Sequence, residues 1–194
     1  MKKDITGIIL AGGKNSRMGG NKAFLSSDGI RLIEKTLNIY RQIFNEIIIV
    51  TNDPLAYIEF TDAAIVTDIY KGKGPAGAIF TGLFYAKNSY VFVSACDMPY
   101  LNKEFILYMI NLRGRYEIIA PELPEGFQPL HALYSRNCLL PLKRMIDSDE
   151  LKITGLYKES RILRITEEEI KPFDKDGRLF LNLNTPEDLV NADG

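Results

Sequence analysis

The sequence predicts an α/β fold in which a mostly parallel sheet lies between layers of helices, and three observations carry that prediction. Short apolar, β-branched runs recur along the chain: TGIIL, EIIIVT, AAIVT, SYVFVSA, YEIIA and RLFLNL. Runs without polar alternation suit strands buried on both faces, as in parallel sheets. Helical patterns separate several of them, and most runs end in glycine or in polar residues. Alternating strands and helices produce a sheet covered on both sides, with right-handed crossovers.

In chain order, the first run ends at Leu10-Ala11-Gly12-Gly13 and passes into a glycine-rich loop. Ile33, Leu37, Tyr40 and Phe44 then fall at helical spacing. The second strand ends in Thr51-Asn52-Asp53, the third in Thr67-Asp68. The stretch GKGPAGAIFTGL places Gly74, Pro75 and Gly77 ahead of a helix with small residues on one side, which suits close approach to a flat purine. The fourth run ends in Ala95-Cys96-Asp97-Met98-Pro99, and Phe105, Ile106, Met109 and Leu112 repeat the helical spacing. PELPEGFQP, from Pro121 to Pro129, reads as a long loop. The last run ends in Asn182 and Asn184, and NTPEDLVNA begins a helix, with Thr185 as cap, Pro186 in the first position and two acids in the first turn.

A chain of 194 residues fits a single domain over 1–194 with a substantial core. Hydrophobic content of 46%, charged content of 25% and a formal charge of −1 give no basic excess for nucleic-acid binding. No apolar run approaches a membrane span of roughly 20 residues, and the first residues lack a signal-peptide pattern, so a cytoplasmic location is expected. Cys96 and Cys138 form no C-x-x-C motif and read as buried small apolar residues.

Ligands of such folds bind at the carboxyl ends of the strands. The loop there, IILAGGKNSRMGGNKAFL from Ile8 to Leu25, matches neither G-x-G-x-x-G nor G-x-x-x-x-G-K-[ST]. Its glycines still allow backbone N–H groups to turn toward a phosphate chain, while Arg17 and Lys22 supply charge-assisted hydrogen bonds. The alternative is a solvated strand-to-helix turn with incidental charges.

LAGGKNSRMGGNK resembles the L-A-G-G-x-S-x-R-M-G-x-D-K signature of the nucleotidyltransferases that activate sugars and cofactors, above all the molybdenum cofactor guanylyltransferases. The resemblance continues in order through IIIVTN, VTDIYKGKGPAGAIFTGL, VFVSACDMPYL, QPLHALYSR and LFLNLNTPEDL, and covers nearly the whole chain. Two departures stand out: Asn15 occupies the position of the usual serine, which here comes one later as Ser16, and Asn21 replaces the usual Asp. The resemblance implies a Rossmann-like three-layer α/β/α sandwich of nucleotidyltransferase type. It implies transfer of GMP from GTP to the terminal phosphate of molybdopterin, with release of pyrophosphate. Leu10, Ala11, Gly12, Gly13, Lys22, Asn52, Asp68 and Asp97 correspond to the family's GTP contacts, and Asp97 to its Mg²⁺ ligand. Asn182 and Asn184 fall beside the pterin acceptor. Transient contacts with proteins that deliver the cofactor and accept the product are expected, and contacts with nucleic acid or membrane are not.

The chemistry needs in-line positioning and neutralisation of charge on the leaving pyrophosphate, which a basic loop and a metal provide. Lys22, Arg17 and Asp97 are the candidate catalytic residues. Asp97 ends a strand and can fix Mg²⁺, or it can cap the following helix at DMPYLNKEF. His131 can line the acceptor pocket or be a satisfied, partly buried residue; no general base is needed, because a phosphate monoester has a second pKa of about 6. Asn52 and Asp68 can contact base or ribose or serve as turn residues, and Asn182 and Asn184 can instead cap their loop. Rival readings of the whole are a cytidylyltransferase, a sugar-phosphate nucleotidyltransferase, and a nucleotide-binding module without transfer activity.

Overall fold

The computed structural model describes residues 3–12, 22–27, 29–183 and 188. Strand β1 (Lys3–Leu10) is followed by a small hairpin of β2 (Ser26–Ser27) and β3 (Ile30–Arg31), then helix α1 (Leu32–Ile43) and β4 (Phe44–Thr51). Next come β5 (Ala64–Thr67), α2 (Gly74–Tyr85), β6 (Tyr90–Ala95), α3 (Lys103–Asn111) and β7 (Ile118–Leu123). The remainder holds β8 (Gly126–Phe127), β9 (His131–Ser135), α4 (Leu139–Asp147), β10 (Ile162–Ile165) and a one-turn helix α5 (Glu167–Ile170). The main sheet has the order β10-β7-β9-β6-β1-β4-β5, with β8 paired on β7. All neighbours along that order are parallel except those of β9, which runs antiparallel between β6 and β7.

Continuous apolar runs form these strands because both faces are covered. In β1, Ile5 and Ile9 join the core under α1 and α3, while Ile8 and Leu10 join the opposite core under α2 and α4. The same alternation divides Ile47 and Ile49 from Ile48 and Val50 in β4, and Phe92 from Val91 and Val93 in β6. The result is a three-layer α/β/α arrangement with β1 near its centre. Successive side chains of a strand point to opposite faces, so a strand buried on both sides has no polar position to spare except at its ends.

Two glycines let the layers approach. A Cβ on Gly7 would lie 2.5 Å from the Phe44 ring and 2.6 Å from that of Tyr40. One on Gly82 of α2 would collide with Ile8. Tyr40 uses the space above Gly7 to reach across β1, its buried hydroxyl 2.8 Å from Ser94 Oγ and 3.2 Å from the Ile8 carbonyl. Phe44, which the periodicity assigns to the helix, is the first residue of β4. Its ring packs edge-on to Tyr40 and stacks on Phe92, so the core claims it without a further helical turn.

Other expectations are corrected. RLFLNL is not a strand. Asp174 Oδ1 accepts the N–H groups of Arg178 and Leu179, and Leu181 N–H bonds back to Arg178 O, so the segment turns. The stretch from Pro121 to Pro129 is no long loop, because β7 continues to Leu123 and folds onto β8 as a hairpin. β9 and β10, unanticipated from the sequence, complete the sheet. Cys96 and Cys138 are free and buried. The helix expected after Thr185 lies outside the described residues apart from Asp188, which is helical.

Replacing Gly7 by Ala tests the close approach. A β-propensity gain is opposed by two rings that are 0% and 1% exposed and cannot retreat. Overpacking of this kind costs about 1–3 kcal/mol. Gly7→Ala should lower the midpoint of thermal unfolding by several degrees; an unchanged or raised midpoint would show that the layers are looser than described.

Candidate active site

All strands of the main order except β9 point the same way, so their carboxyl ends share one edge. Backbone hydrogen bonds carry the pairing just past the strands. Asp68 N–H donates to Thr51 O (3.2 Å), Ala11 N–H to Val50 O (2.9 Å) and Cys96 N–H to Leu10 O (3.1 Å). Asp68, Asn52, Gly12 and Asp97 therefore stand in a row on neighbouring strands. Asn52 and Gly12 are exposed, and a Cβ on Gly12 would sit 3.8 Å from Asn52 Nδ2. The chain order reverses here, because β4 and β5 extend from one side of β1 and β6 from the other. Such switch points are where open α/β sheets receive ligands.

The described ends of the glycine-rich loop are anchored at one place. Ala11 is buried and its carbonyl accepts from the Tyr57 hydroxyl at 3.3 Å. The Tyr57 ring packs on Phe24 at 5.1 Å, and Ala23 is wholly buried beside it. Lys22 is thus held by its neighbour Ala23, half-buried, with its charge acting on both Cys96 and Asp97. Gly13, Arg17, Asn15, Ser16 and Asn21 lie outside the described residues.

Asp97 follows β6 in a tight turn, in which Met98 N–H reaches back to Ala95 O. It does not cap α3: Asn102 does, its side chain accepting from Phe105 N–H at 3.0 Å. Asp97 Oδ1 is buried and meets no hydrogen-bond partner among the described residues. Burial pushes its carboxyl pKa up, and the Lys22 ammonium partly opposes that shift. The carboxylates at the opposite edge are committed instead. Glu46 accepts from Thr6 and from Lys87 N–H, and Asp62 pairs with Arg41. Beside Asp97, burial and the neighbouring negative charge push the Cys96 thiol up to about 12, which makes it inert as a nucleophile.

The C-terminal segment closes on the same point. Leu183 N–H donates to Asp97 O at 2.9 Å, and the Leu183 side chain packs with Leu25, Leu32 and Tyr100. Asn182, exposed, is therefore brought beside Asp97, while Asn184 lies outside the described residues. His131 begins β9 opposite Ser94 and has no exposed surface. Its ring packs among Phe92, Phe105 and Phe180, and neither nitrogen meets a partner among the described residues. Burial pushes its pKa down to about 3, so the ring is neutral. It is a core residue, neither a pocket wall nor the satisfied, partly buried group expected.

At the other end of the row, Asp68 is 7% exposed, and its Oδ1 accepts from Tyr70 N–H (3.0 Å) and from the Thr81 hydroxyl (2.9 Å). Asp68 is a turn residue of this loop as well as a residue of the edge. Gly77 is small because the Tyr70 carbonyl would lie 2.7 Å from a Cβ there, and this contact, rather than a purine, accounts for it. Thr81 and Tyr57 escaped the sequence reading. The signal for Thr81 was a lone hydroxyl in the apolar run AIFTGL; Tyr57 gave none.

Residues 7–167 match the family model described as the MobA-like NTP transferase domain. The molybdenum cofactor guanylyltransferase of Desulfosudis oleivorans is 36% identical over 97% of this chain and 94% of its own length. A probable molybdenum cofactor guanylyltransferase of Clostridium perfringens is 39% identical over 94% of each. The crystal structure of molybdopterin-guanine dinucleotide biosynthesis protein A from Archaeoglobus fulgidus superposes with a TM-score of 0.83, at 25% identity and 97% coverage of both chains. The edge at which Lys22, Asp97, Gly12, Asn52 and Asp68 gather is thus carried by a nucleotidyltransferase fold, and the chain belongs to the molybdenum cofactor guanylyltransferases of the MobA-like NTP transferase family.

Proposed function

We propose that this protein transfers GMP from GTP to the terminal phosphate of molybdopterin, with Mg²⁺ as its cofactor. The observation that carries the proposal is Asp97 Oδ1, a buried carboxylate oxygen without a partner among the described residues, beside Lys22 at the switch point. The relatives named as guanylyltransferases support the choice of nucleotide and acceptor.

Asp97 fits a magnesium ion. Mg²⁺ prefers oxygen ligands, keeps several waters and usually takes only one or two carboxylates plus substrate phosphates. Among the described residues no group of three or more His, Cys, Asp or Glu could hold a metal, so Asp97 would act with the nucleotide's own oxygens. Bound there, the ion would offset charge on the phosphates.

The chain's own residues do the rest. Ala11, its N–H bonded to Val50 and its carbonyl to Tyr57, holds the exposed backbone of Gly12 where the phosphates would lie, and Arg17 is the second candidate cation of the loop. Lys22 follows the negative charge as it grows on the leaving pyrophosphate. Asn52 and Asp68 face the nucleoside, and Asn182 faces the acceptor across Asp97, with Asn184 assigned to the same side. An acceptor phosphate oxygen attacks the α-phosphorus, the bond from that phosphorus to the bridging oxygen breaks, and pyrophosphate departs with the electron pair. The acceptor is already largely dianionic near neutrality, with a second pKa of about 6, so no residue removes a proton from it. A neutral, buried His131 agrees with that requirement.

Nucleotide titration of the purified protein should show GTP bound more tightly than CTP, ATP or UTP; tighter CTP binding would transfer the assignment to cytidylyl chemistry. Asp97→Asn should cut magnesium-dependent GMP transfer by about 10²-fold or more while the protein stays folded. Its stability should also respond to pH. Because burial raises the folded-state pKa of Asp97, the folded protein holds that proton longer than the unfolded chain, whose aspartate pKa is about 3.9. Wild-type stability at this residue is therefore lost as pH rises from about 4 through the raised folded value. Without magnesium, Asp97→Asn should match wild type in acid and exceed it above that window; a mutant less stable at neutral pH would mean that the carboxylate has a structural partner. Asn182→Ala should raise the KM for molybdopterin and leave GTP affinity nearly unchanged, and equal losses for both would point to disturbance of the Leu183–Asp97 hydrogen bond.

A further inference from the structure

Thr81 lies in the middle of α2, has no exposed surface and belongs to a helix whose other buried residues are Ala76, Gly77, Ile79, Phe80, Gly82 and Leu83. A hydroxyl buried in such surroundings is costly unless it is bonded. The usual partner of a helical threonine is the carbonyl four residues earlier, and Gly77 O does lie 2.9 Å from Thr81 Oγ1. Two further contacts leave the helix altogether. Oγ1 accepts from Ile69 N–H at 2.9 Å and lies 2.9 Å from Asp68 Oδ1.

The hydroxyl has one proton and two acceptors within reach. An ionised carboxylate makes the stronger bond, so the proton goes to Asp68 when that group is charged. Asp68 Oδ1 then receives two donors, from Thr81 and from Tyr70 N–H at 3.0 Å. Both bonds fall on Oδ1 and none among the described residues on Oδ2, and Asp68 as a whole is 7% exposed. The carboxylate is thereby fixed by one oxygen, on a residue that follows β5 at the strand-end edge and donates its N–H to Thr51 O.

We propose that Thr81 is a positioning residue for nucleotide binding. By holding Asp68 Oδ1 and the Ile69 backbone together, it aims Asp68 Oδ2 at a hydroxyl or N–H donor of the nucleoside. The proposal rests on the reading that GTP occupies this edge. It predicts an effect on GTP binding and none on the chemical step, since Thr81 touches no reacting atom.

Thr81→Val keeps the shape and removes the hydroxyl, and Thr81→Ser restores it. In steady-state assays Thr81→Val should raise the KM for GTP about tenfold with kcat within about twofold of wild type, and Thr81→Ser should return the KM to the wild-type value. In an Asp68→Ala background, Thr81→Val should add nothing to the KM, because the two act through one bond. An unchanged KM in Thr81→Val, an unrestored KM in Thr81→Ser, or an undiminished effect in the Asp68→Ala background would overturn the proposal. A ligand-free readout separates it from the assignment of GTP. Amide hydrogen exchange at Ile69 and Tyr70 should be faster in Thr81→Val than in wild type and normal in Thr81→Ser. Equal protection in all three would defeat the proposal even if GTP proves to be the substrate, whereas wild-type protein that fails to bind GTP while Ile69 and Tyr70 exchange as stated would remove the nucleotide reading and leave the Thr81 device intact.

Discussion

The structure depends on burying both faces of the central strands. Ile5 and Ile9 of β1 belong to one core, Ile8 and Leu10 to the other, and β4 and β6 on either side divide in the same way. Full burial excludes polar side chains from the strand interiors except where they bond one another, as Ser94 does with Tyr40. It also requires the helices to come close, which Gly7 and Gly82 permit. Polar chemistry is thereby driven to the strand ends, and a sheet whose strands run mostly one way gathers those ends on one edge. The position of the site is a consequence of how the core is filled.

At that edge the carboxylates have different fates. Asp68 is fixed by Thr81 and Tyr70, and one oxygen is left over. Asp97 is bonded through its backbone carbonyl to Leu183, yet its Oδ1 has no partner among the described residues. Burying a carboxylate in this way works against stability, and the half-buried Lys22 offsets only part of that cost. Groups held in such environments mark functional sites more often than chance, because a ligand can supply what the fold withholds. Cys96, its thiol pushed up beside Asp97, is inert as a nucleophile, and His131 is a neutral core residue.

Much of this was legible in the amino-acid order, since an unbroken run such as EIIIVT fits only a strand covered on both sides, and the polar residues that end it fall at the edge where ligands bind. The motif set carried the family. What failed did so for identifiable reasons. RLFLNL has the composition of a strand, but Asp174 captures two backbone N–H groups and turns it. Phe44 continues the helical period of α1 because the residue that caps a core helix and the residue that opens the next buried strand want the same apolar side chain. Asp97 and Asn102 are both good caps by type, and only the observed bond to Phe105 N–H separates them. Thr81 showed only as a lone hydroxyl in an apolar run, because its partners, Asp68 and Ile69, lie 13 and 12 residues away across a turn.

If GTP binds at the switch point, the ends of β1, β4, β5 and β6 form one nucleotide site. Hydrogen–deuterium exchange of the wild-type protein, with and without GTP and magnesium, tests it most directly. Ligand-dependent protection should appear together at residues 10–12, 52, 68–70 and 96–98, and not at the opposite edge around residues 45–46, 62–64 and 87–88. Protection confined to the opposite edge, or GTP binding that leaves the four strand ends unprotected, would contradict it.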